Sequence, residues 1–450
     1  MIKRTLLQNL NTWKKNPARK PLIIRGARQV GKTTLIKSFA ESYENRILLN
    51  LEKETDKRIF KDFNNVKDIV DVLLLKSNLT SDKMDGLLLF IDEIQESPEA
   101  IKLLRFFYEE YPQIHLVGAG SLLEFTMNKV ESFPVGRIEY LYLHPINFFE
   151  YLAALNNEMV LQQFDGIPVN KNAHKYLIEL FNIYAIVGGM PEVLKAFIES
   201  NCIADLTKIY ESLWETFKDD MTQYSSNKTE MNVLRHIVNT AYLSLDQRVK
   251  FQHFGNSNYK SREVGEAMRN LENARFLYLI YPTTEVEIPI KPDIKKSPRL
   301  QFLDTGLINY KNGIQSELLS LKDLSSFYRG YLIPHIVVQE IISTNNISNT
   351  KPNFWVREKT QSSAEVDLVV QFRNKIIPVE IKSSSIGKLR SLHQFMERSN
   401  HAFAVRIYGG EFSIQKAYTP GKKEYKLMNL PYYLGTKLMD YIEYFVTGSD

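Results

Sequence analysis

The run Gly26-Ala27-Arg28-Gln29-Val30-Gly31-Lys32-Thr33, followed by Thr34, fits the spacing G-x-x-x-x-G-K-[ST]. Glycines at those two places let the backbone curl until its N–H groups face phosphate oxygens. Lys32 is then placed to reach the β- and γ-phosphates, and Thr33 to ligate Mg²⁺. A second group, Asp92-Glu93, ends the apolar run Leu87-Leu-Leu-Phe-Ile91. Asp92 suits the Mg²⁺ shell, and Glu93 suits a general base that positions the attacking water. Two acids ending a strand are often merely solvated, but a phosphate loop one β-α unit earlier favours the catalytic reading. ATP and Mg²⁺ are therefore the expected cofactors. Two polar residues lie further on. Ser121, after Gly118-Ala-Gly, either senses the γ-phosphate or caps the helix beginning at Leu122. Arg137 either stabilises transition-state charge in a neighbouring subunit or pairs with Glu139 or Glu131 at the surface.

A separate constellation lies in the last third. Ala364-Glu365-Val-Asp367-Leu-Val-Val370 and Ile376-Ile-Pro-Val-Glu380-Ile-Lys382 both alternate polar and apolar residues, the period of a strand. With Arg373-Asn374 as a two-residue loop, Phe372 faces Lys375, so Asp367 falls opposite Glu380 and Glu365 opposite Lys382. All four then project from one face, while Val366, Leu368 and Val370 share the other with Ile377, Val379 and Ile381. Paired carboxylates repel unless a cation or a proton lies between them, and a hard divalent ion such as Mg²⁺ is the usual remedy. Lys382 beside them suits orienting a water or steadying a phosphate. The competing reading is a Glu365–Lys382 cross-strand ion pair on a wet face.

The elements needed to hold these groups are legible too. Strands are expected over 21–25, 46–51, 86–92, 114–118 and 137–143, with a helix over 31–43 and helical stretches between most of the others. They are continuously apolar, as buried parallel strands are, so an α/β core with a parallel sheet is expected over 1–145. A helical, aromatic-rich lid follows over 146–225, interrupted at Gly188-Gly189-Met190-Pro191. Residues 226–299 are read as a winged-helix-like segment: a helix over 261–273, then a two-stranded wing over 276–281 and 284–289. Arg262 and Arg269 on that helix suit a DNA groove, although such segments equally serve as protein contacts. A C-terminal α/β domain occupies 300–450.

Arg25-Gly-Ala-Arg-Gln-Val-Gly-Lys-Thr-Thr34, Asp92-Glu-Ile-Gln95, Gly136-Arg137 and Gly188-Gly-Met-Pro191 resemble, in this order, a group of prokaryotic AAA-type ATPases with an uncharacterised C-terminal domain. Such proteins usually carry Ser where this chain has Ala119. The 364–382 segment resembles the D-x(n)-E-x-K hairpin of PD-(D/E)xK nucleases. That resemblance implies Asp367 and Glu380 as metal ligands, Lys382 as a catalytic residue, and a further acid on a preceding helix, where Glu340 stands. It also gives a role to Lys388 and Arg390, on a helix read over 386–397, as contacts for backbone phosphates.

Composition narrows the classes. Lys+Arg exceed Asp+Glu by 57 against 52, so basic surface must come from clustering, as in Lys3, Arg4, Lys14, Lys15, Arg19 and Lys20, which suit phosphates or simply a helix's wet face. The single Cys202 excludes an intrachain disulfide and fits a reducing, cytoplasmic setting. No run approaches the ~18 apolar residues of a membrane span. The expectation is an ATPase that couples nucleotide state to a nuclease-like domain acting on nucleic acid, DNA rather than RNA, within a homo-oligomer and away from membranes. The alternative is an ATP-gated switch whose C-terminal domain is a non-cutting scaffold.

Overall fold

A computed structural model describes residues 2–63, 65–121, 123, 136–223, 225, 227–313, 315, 332–357, 364–382 and 389–448. Leu122, Glu131 and Lys388, all singled out above, lie outside them. After helix α1 (Leu6–Lys15) come β1 (Leu22–Arg25), α2 (Lys32–Ala40), β2 (Arg46–Asn50), α3 (Glu54–Asp62), α4 (Val66–Lys76), β3 (Leu88–Asp92), α5 (Pro98–Glu110), β4 (His115–Gly120) and β5 (Glu139–Tyr142). The five strands form one parallel sheet in the order β2-β3-β4-β1-β5. Alternate residues of its strands feed two separate apolar clusters, Ile24, Phe90 and Val117 on one face and Ile23, Ile91 and Leu116 on the other. Burial on both faces is why the strands read as unbroken apolar runs. Local signals set the helices: α5 opens with Pro98 after Ser97, whose hydroxyl accepts the Ala100 N–H at 3.2 Å.

The helical section holds α6 (Phe148–Ala154), α7 (Glu158–Asp165), α8 (His174–Val187), α9 (Pro191–Ser200) and α10 (Thr207–Gln223). Next come α11 (Lys228–Thr240), α12 (Ser261–Asn273), β6 (Leu277–Ile280), β7 (Pro282–Thr283) and β8 (Arg299–Phe302). Here the expected wing is corrected. Strand β6 pairs antiparallel with β8, not with 284–289, and bridges at Leu245–Leu300 and Arg248–Arg299 bring a third segment alongside. Pro282, Pro289 and Pro292 remove backbone donors from the nearer segment, whereas Arg299–Phe302 keeps them all. Strand β7 instead joins the C-terminal sheet beside β9. The expected division at 299/300 thus runs through β8, and the two units exchange strands.

The remaining elements are α13 (Thr305–Lys311), α14 (Leu332–Ser343), β9 (Asn353–Val356), β10 (Glu365–Phe372), β11 (Lys375–Ile381), α15 (Arg390–Arg398), β12 (Phe403–Tyr408), β13 (Ser413–Tyr418), β14 (Glu424–Pro431) and α16 (Leu438–Thr447). Seven strands form a mixed sheet in the order β13-β14-β12-β11-β10-β9-β7. The β10–β11 hairpin turns at Arg373-Asn374 with Phe372 opposite Lys375 and Leu368 opposite Val379, the register expected from sequence. Arg373 takes φ +51°, as a tight hairpin turn requires. One face assignment needs correction: a register irregularity between Val366 and Val369 turns Val366 toward Trp355 and Phe395, while Leu368, Val379 and Ile381 join the opposite core. No described helix is long and apolar enough to cross a membrane.

Candidate nucleotide site and the acidic cluster

Parallel strands carry their chemistry at their C-terminal ends, and β1 and β3 deliver the two motifs there, with β4 between them. Gly26 passes so close to the chain that a Cβ would lie 2.4 Å from the Leu143 carbonyl oxygen, and Gly31 takes φ +93°, where a side chain is strained. Lys32 opens α2, and its Nζ donates to the carbonyls of Gly26 (3.0 Å) and Ala27 (2.8 Å). Burial lowers its pKa to about 8, against the pull of Glu93 and Asp92. The Thr33 hydroxyl donates to Asp92 Oδ2 at 2.8 Å, which brings together the two groups assigned to Mg²⁺. Burial raises the Asp92 carboxyl, and the Thr33 bond opposes that rise. Glu93 follows in a left-handed conformation (φ 50°, ψ 46°), and Gln95 Nε2 donates to its Oε2 at 2.6 Å. Among these loop residues Ala27 and Val30 are buried, whereas Gln29 and Thr34 face outward.

Ser121 is buried, and its hydroxyl has no hydrogen-bond partner among the described residues; Ala119 is buried and offers no polar atom. Arg137 bonds Glu109 (Nε to Oε1, 3.3 Å) rather than Glu139, whose Oε1 accepts the Lys20 N–H instead. Several groups around the loop were not visible in sequence. Arg4, one of the basic N-terminal residues, is not spread toward solvent: it donates to the Val30 carbonyl (2.9 Å), to the His144 carbonyl (2.5 Å) and to Glu150 (3.0 Å). Arg28 forms an ion pair with Asp220 of α10. The Gly188-Gly-Met-Pro turn has a packing role, since a Cβ on Gly188 would lie 2.4 Å from Asp304 Oδ1 and one on Gly189 would lie 2.2 Å from the Ile146 carbonyl oxygen. That close fit seats the start of α9, and Pro191, against the phosphate loop near Gly31. The residues at 26–34, 92 and 93 suit Mg²⁺ and a nucleoside triphosphate: a buried ammonium held by carbonyls, a hydroxyl and a carboxylate in contact beside it, and a second carboxylate beyond them.

The second constellation assembles, but differently from expectation. Asp367 Oδ2 accepts the Ile381 N–H at 2.9 Å, and Lys382 Nζ lies 2.5 Å from Glu380 Oε1, so Asp367, Glu380 and Lys382 do converge. Burial raises the Glu380 carboxyl, and Asp367 adds to it. Glu365 does not pair with Lys382; it turns to Arg299 (2.6 Å) and Arg248 (2.5 Å). Arg299, from β8, also reaches Asp246 (3.2 Å) and Asp367 (3.4 Å). The cations that the paired acids demand are therefore supplied by side chains, Lys382 for Glu380 and the Arg299 guanidinium of the middle segment for Asp367, and among the described residues no group of three or more acids, His or Cys is arranged to hold a metal. Glu340 is the clearest correction. It is fully buried elsewhere, accepting the Phe148 N–H (2.9 Å) and the Tyr184 hydroxyl (2.7 Å): α14 turns this side chain toward the lid, while its Pro334, His335 and Val338 face Asp367, Leu368 and Ile381 of the hairpin. Arg390 opens α15, which covers the hairpin's other face with Leu392, Phe395 and Met396.

The sheet order, the phosphate loop and the paired acids define a P-loop ATPase core. Residues 18–152 match a family described as AAA domain, residues 178–318 a domain of unknown function (DUF8612), and residues 329–432 a second domain of unknown function (DUF4143). No curated protein matches the chain. Among solved structures, a Walker-type ATPase of Pyrococcus abyssi is similar at 12% identity and a TM-score of 0.45, covering 69% of this chain and 96% of its own. The Thermotoga maritima RuvB Holliday junction branch migration motor is similar at 17% identity and 0.30, covering 62% and 90%. A STAND protein with a tetratricopeptide repeat sensor from Pyrococcus horikoshii is similar at 11% identity and 0.28, covering 76% and 48%.

Proposed function

We propose that this ATPase is a nucleotide-driven switch in which the state of the phosphate loop governs how the middle segment grips the C-terminal sheet. Lys32 binds the β/γ-phosphates, Thr33 and Asp92 hold Mg²⁺, Glu93 orients the attacking water with Gln95 fixing its carboxylate, and the Ser121 hydroxyl faces the γ-phosphate. Bound Mg²⁺ would supply charge neutralisation on the phosphate oxygens. In a homo-oligomer, the half-exposed Arg137 is the residue available to a neighbouring subunit. The observation that carries the switch is the Arg299 bridge, in which one side chain of β8 satisfies Asp246, Glu365 and Asp367 at once. Such a bridge holds only while the middle segment and the sheet keep this arrangement. DNA is the proposed partner of the C-terminal half.

Magnesium-dependent ATP turnover by the full chain, measured with and without duplex DNA, tests this reading. DNA-dependent turnover, or DNA affinity that differs between nucleotide states, is the expected result; turnover and affinity indifferent to each other overturn the coupling. A second reading, in which the hairpin cuts DNA once Arg299 withdraws, is favoured by the convergence of Asp367, Glu380 and Lys382. It requires Mg²⁺-dependent cleavage that disappears in both Asp367→Ala and Lys382→Ala, and cleavage surviving those changes excludes this site.

A further inference from the structure

Arg28 sits inside the phosphate loop, yet its guanidinium is engaged by a carboxylate from another part of the chain, Asp220 near the end of α10. Asp220 is buried, only 6% exposed, and Glu93 and Asp219 add acidic charge to its surroundings. A buried carboxylate among acids is tolerable only while a cation compensates it. Burial pushes this carboxyl up to about 6, with Arg28 working against the rise, so Arg28 is the group that keeps it charged at neutral pH.

Helix α10 is well placed to transmit a change at that end. Its Trp214 and Phe217 rings lie 5.7 and 5.3 Å from the ring of Phe276, immediately before β6. Strand β6 is paired along its length with β8, and β8 carries Arg299 into the acidic cluster. A contiguous set of packed rings and ladder hydrogen bonds thus joins Arg28 to Asp367.

We infer that the Arg28–Asp220 pair is a latch that an incoming nucleoside triphosphate opens, with the phosphate chain replacing Asp220 as the partner of Arg28. A triphosphate brings several negative charges to a loop that already presents Lys32 and backbone N–H groups, and a single carboxylate cannot compete with it. Once Arg28 turns away, Asp220 is left buried beside Glu93 and Asp219 without its cation, so it must take up a proton or move toward water, and either way the ion pair that ties the end of α10 to the loop is lost. This inference rests on the nucleotide reading above and adds to it the residue through which occupancy is reported to the rest of the chain.

The test is affinity for a non-hydrolysable ATP analogue with Mg²⁺, measured by calorimetry on the full chain. Asp220→Asn keeps the shape but releases Arg28, so its affinity should rise by roughly tenfold, the scale of one charge-assisted contact no longer broken on binding. Arg28→Gln should bind about tenfold more weakly. The double variant should match Arg28→Gln, because the gain from Asp220→Asn depends on Arg28. Asp220→Glu, which retains the charge, should return to wild-type affinity. Amide exchange across α10 should quicken in the wild type on adding the analogue and be quick from the start in Asp220→Asn. Unchanged or weaker binding by Asp220→Asn, or an equal gain with Arg28 absent, defeats the latch alone. An absence of affinity in the wild type defeats the nucleotide site itself, and the latch with it.

Discussion

The phosphate loop and the C-terminal acidic cluster solve opposite electrostatic problems by different means. At the loop, a buried ammonium, Lys32, is held by two carbonyls of its own loop only six and five residues away in sequence. At the cluster, part-buried carboxylates of β10 are neutralised by Arg299, nearly seventy residues distant. Local compensation leaves the lysine held within its own motif and ready for an anion. Remote compensation makes the second site's charge state a property of how two segments sit together. A site of the second kind can be switched by moving a segment; one of the first kind can be switched only by its ligand.

Four changes sharpen or break that contrast. The largest effect is expected from Lys32→Ala, which removes the cation facing the phosphates: nucleotide affinity in calorimetry should fall by about 100-fold or more, and turnover should vanish. Undiminished hydrolysis would show that the loop is not the site. Glu93→Gln should keep affinity within about threefold while slowing single-turnover hydrolysis by roughly 100-fold, the range of general-base catalysis. Equal loss of both would remove Glu93 from that role.

At the other site, Arg299→Leu leaves Asp246, Glu365 and Asp367 without their shared cation and should destabilise the chain by about 2 kcal/mol in denaturant unfolding, less than breaking a fully buried ion pair because these groups are part-buried. Arg248 still reaches Glu365, and burial already lifts Asp246 to about 7, so protonation offsets part of the loss. Asp246→Asn added to Arg299→Leu should therefore recover stability, and no recovery would mean that Arg299 acts by packing alone. The last change, read as a pH profile, concerns Glu340. Its carboxyl titrates near 4.5 when unfolded and, through burial, at about 8 in the folded chain. Between those values the folded chain keeps a proton that the unfolded chain has lost, so stability declines as the pH climbs from 4.5 to 8 and levels off above. Glu340→Gln should flatten that part of the melting-temperature profile; an unaltered slope would place its origin elsewhere.

Much of the nucleotide site was legible because its geometry is local. The glycines of 26–31, the lysine and hydroxyl that follow, and the acids ending an apolar strand all act within a few residues, and β1 and β3 form where the apolar runs predict. The hairpin register was legible for the same reason: a two-residue loop fixes which residues of β10 and β11 face each other. The wing was not, since β6 found its partner beyond a long Pro-containing connection. Glu340 stands in the right place in sequence for a metal ligand, yet sequence position does not say which way α14 faces. No periodicity signals that Asp220 reaches Arg28 or that Arg4 ties Val30 to Glu150, because those pairs are formed only when distant helices dock.

What the chain's own order of residues determined is the short-range geometry: a curled glycine loop that opens a helix at Lys32, an apolar strand that ends in two acids, and a turn that fixes the register of the hairpin. What only the tertiary structure decided is which cation each acid meets. Backbone spacing fixes neighbours a few residues apart through steric and hydrogen-bond rules that any chain obeys. A buried charge, by contrast, must accept whichever partner the packing of whole segments brings within reach, and here that partner is an arginine from another segment.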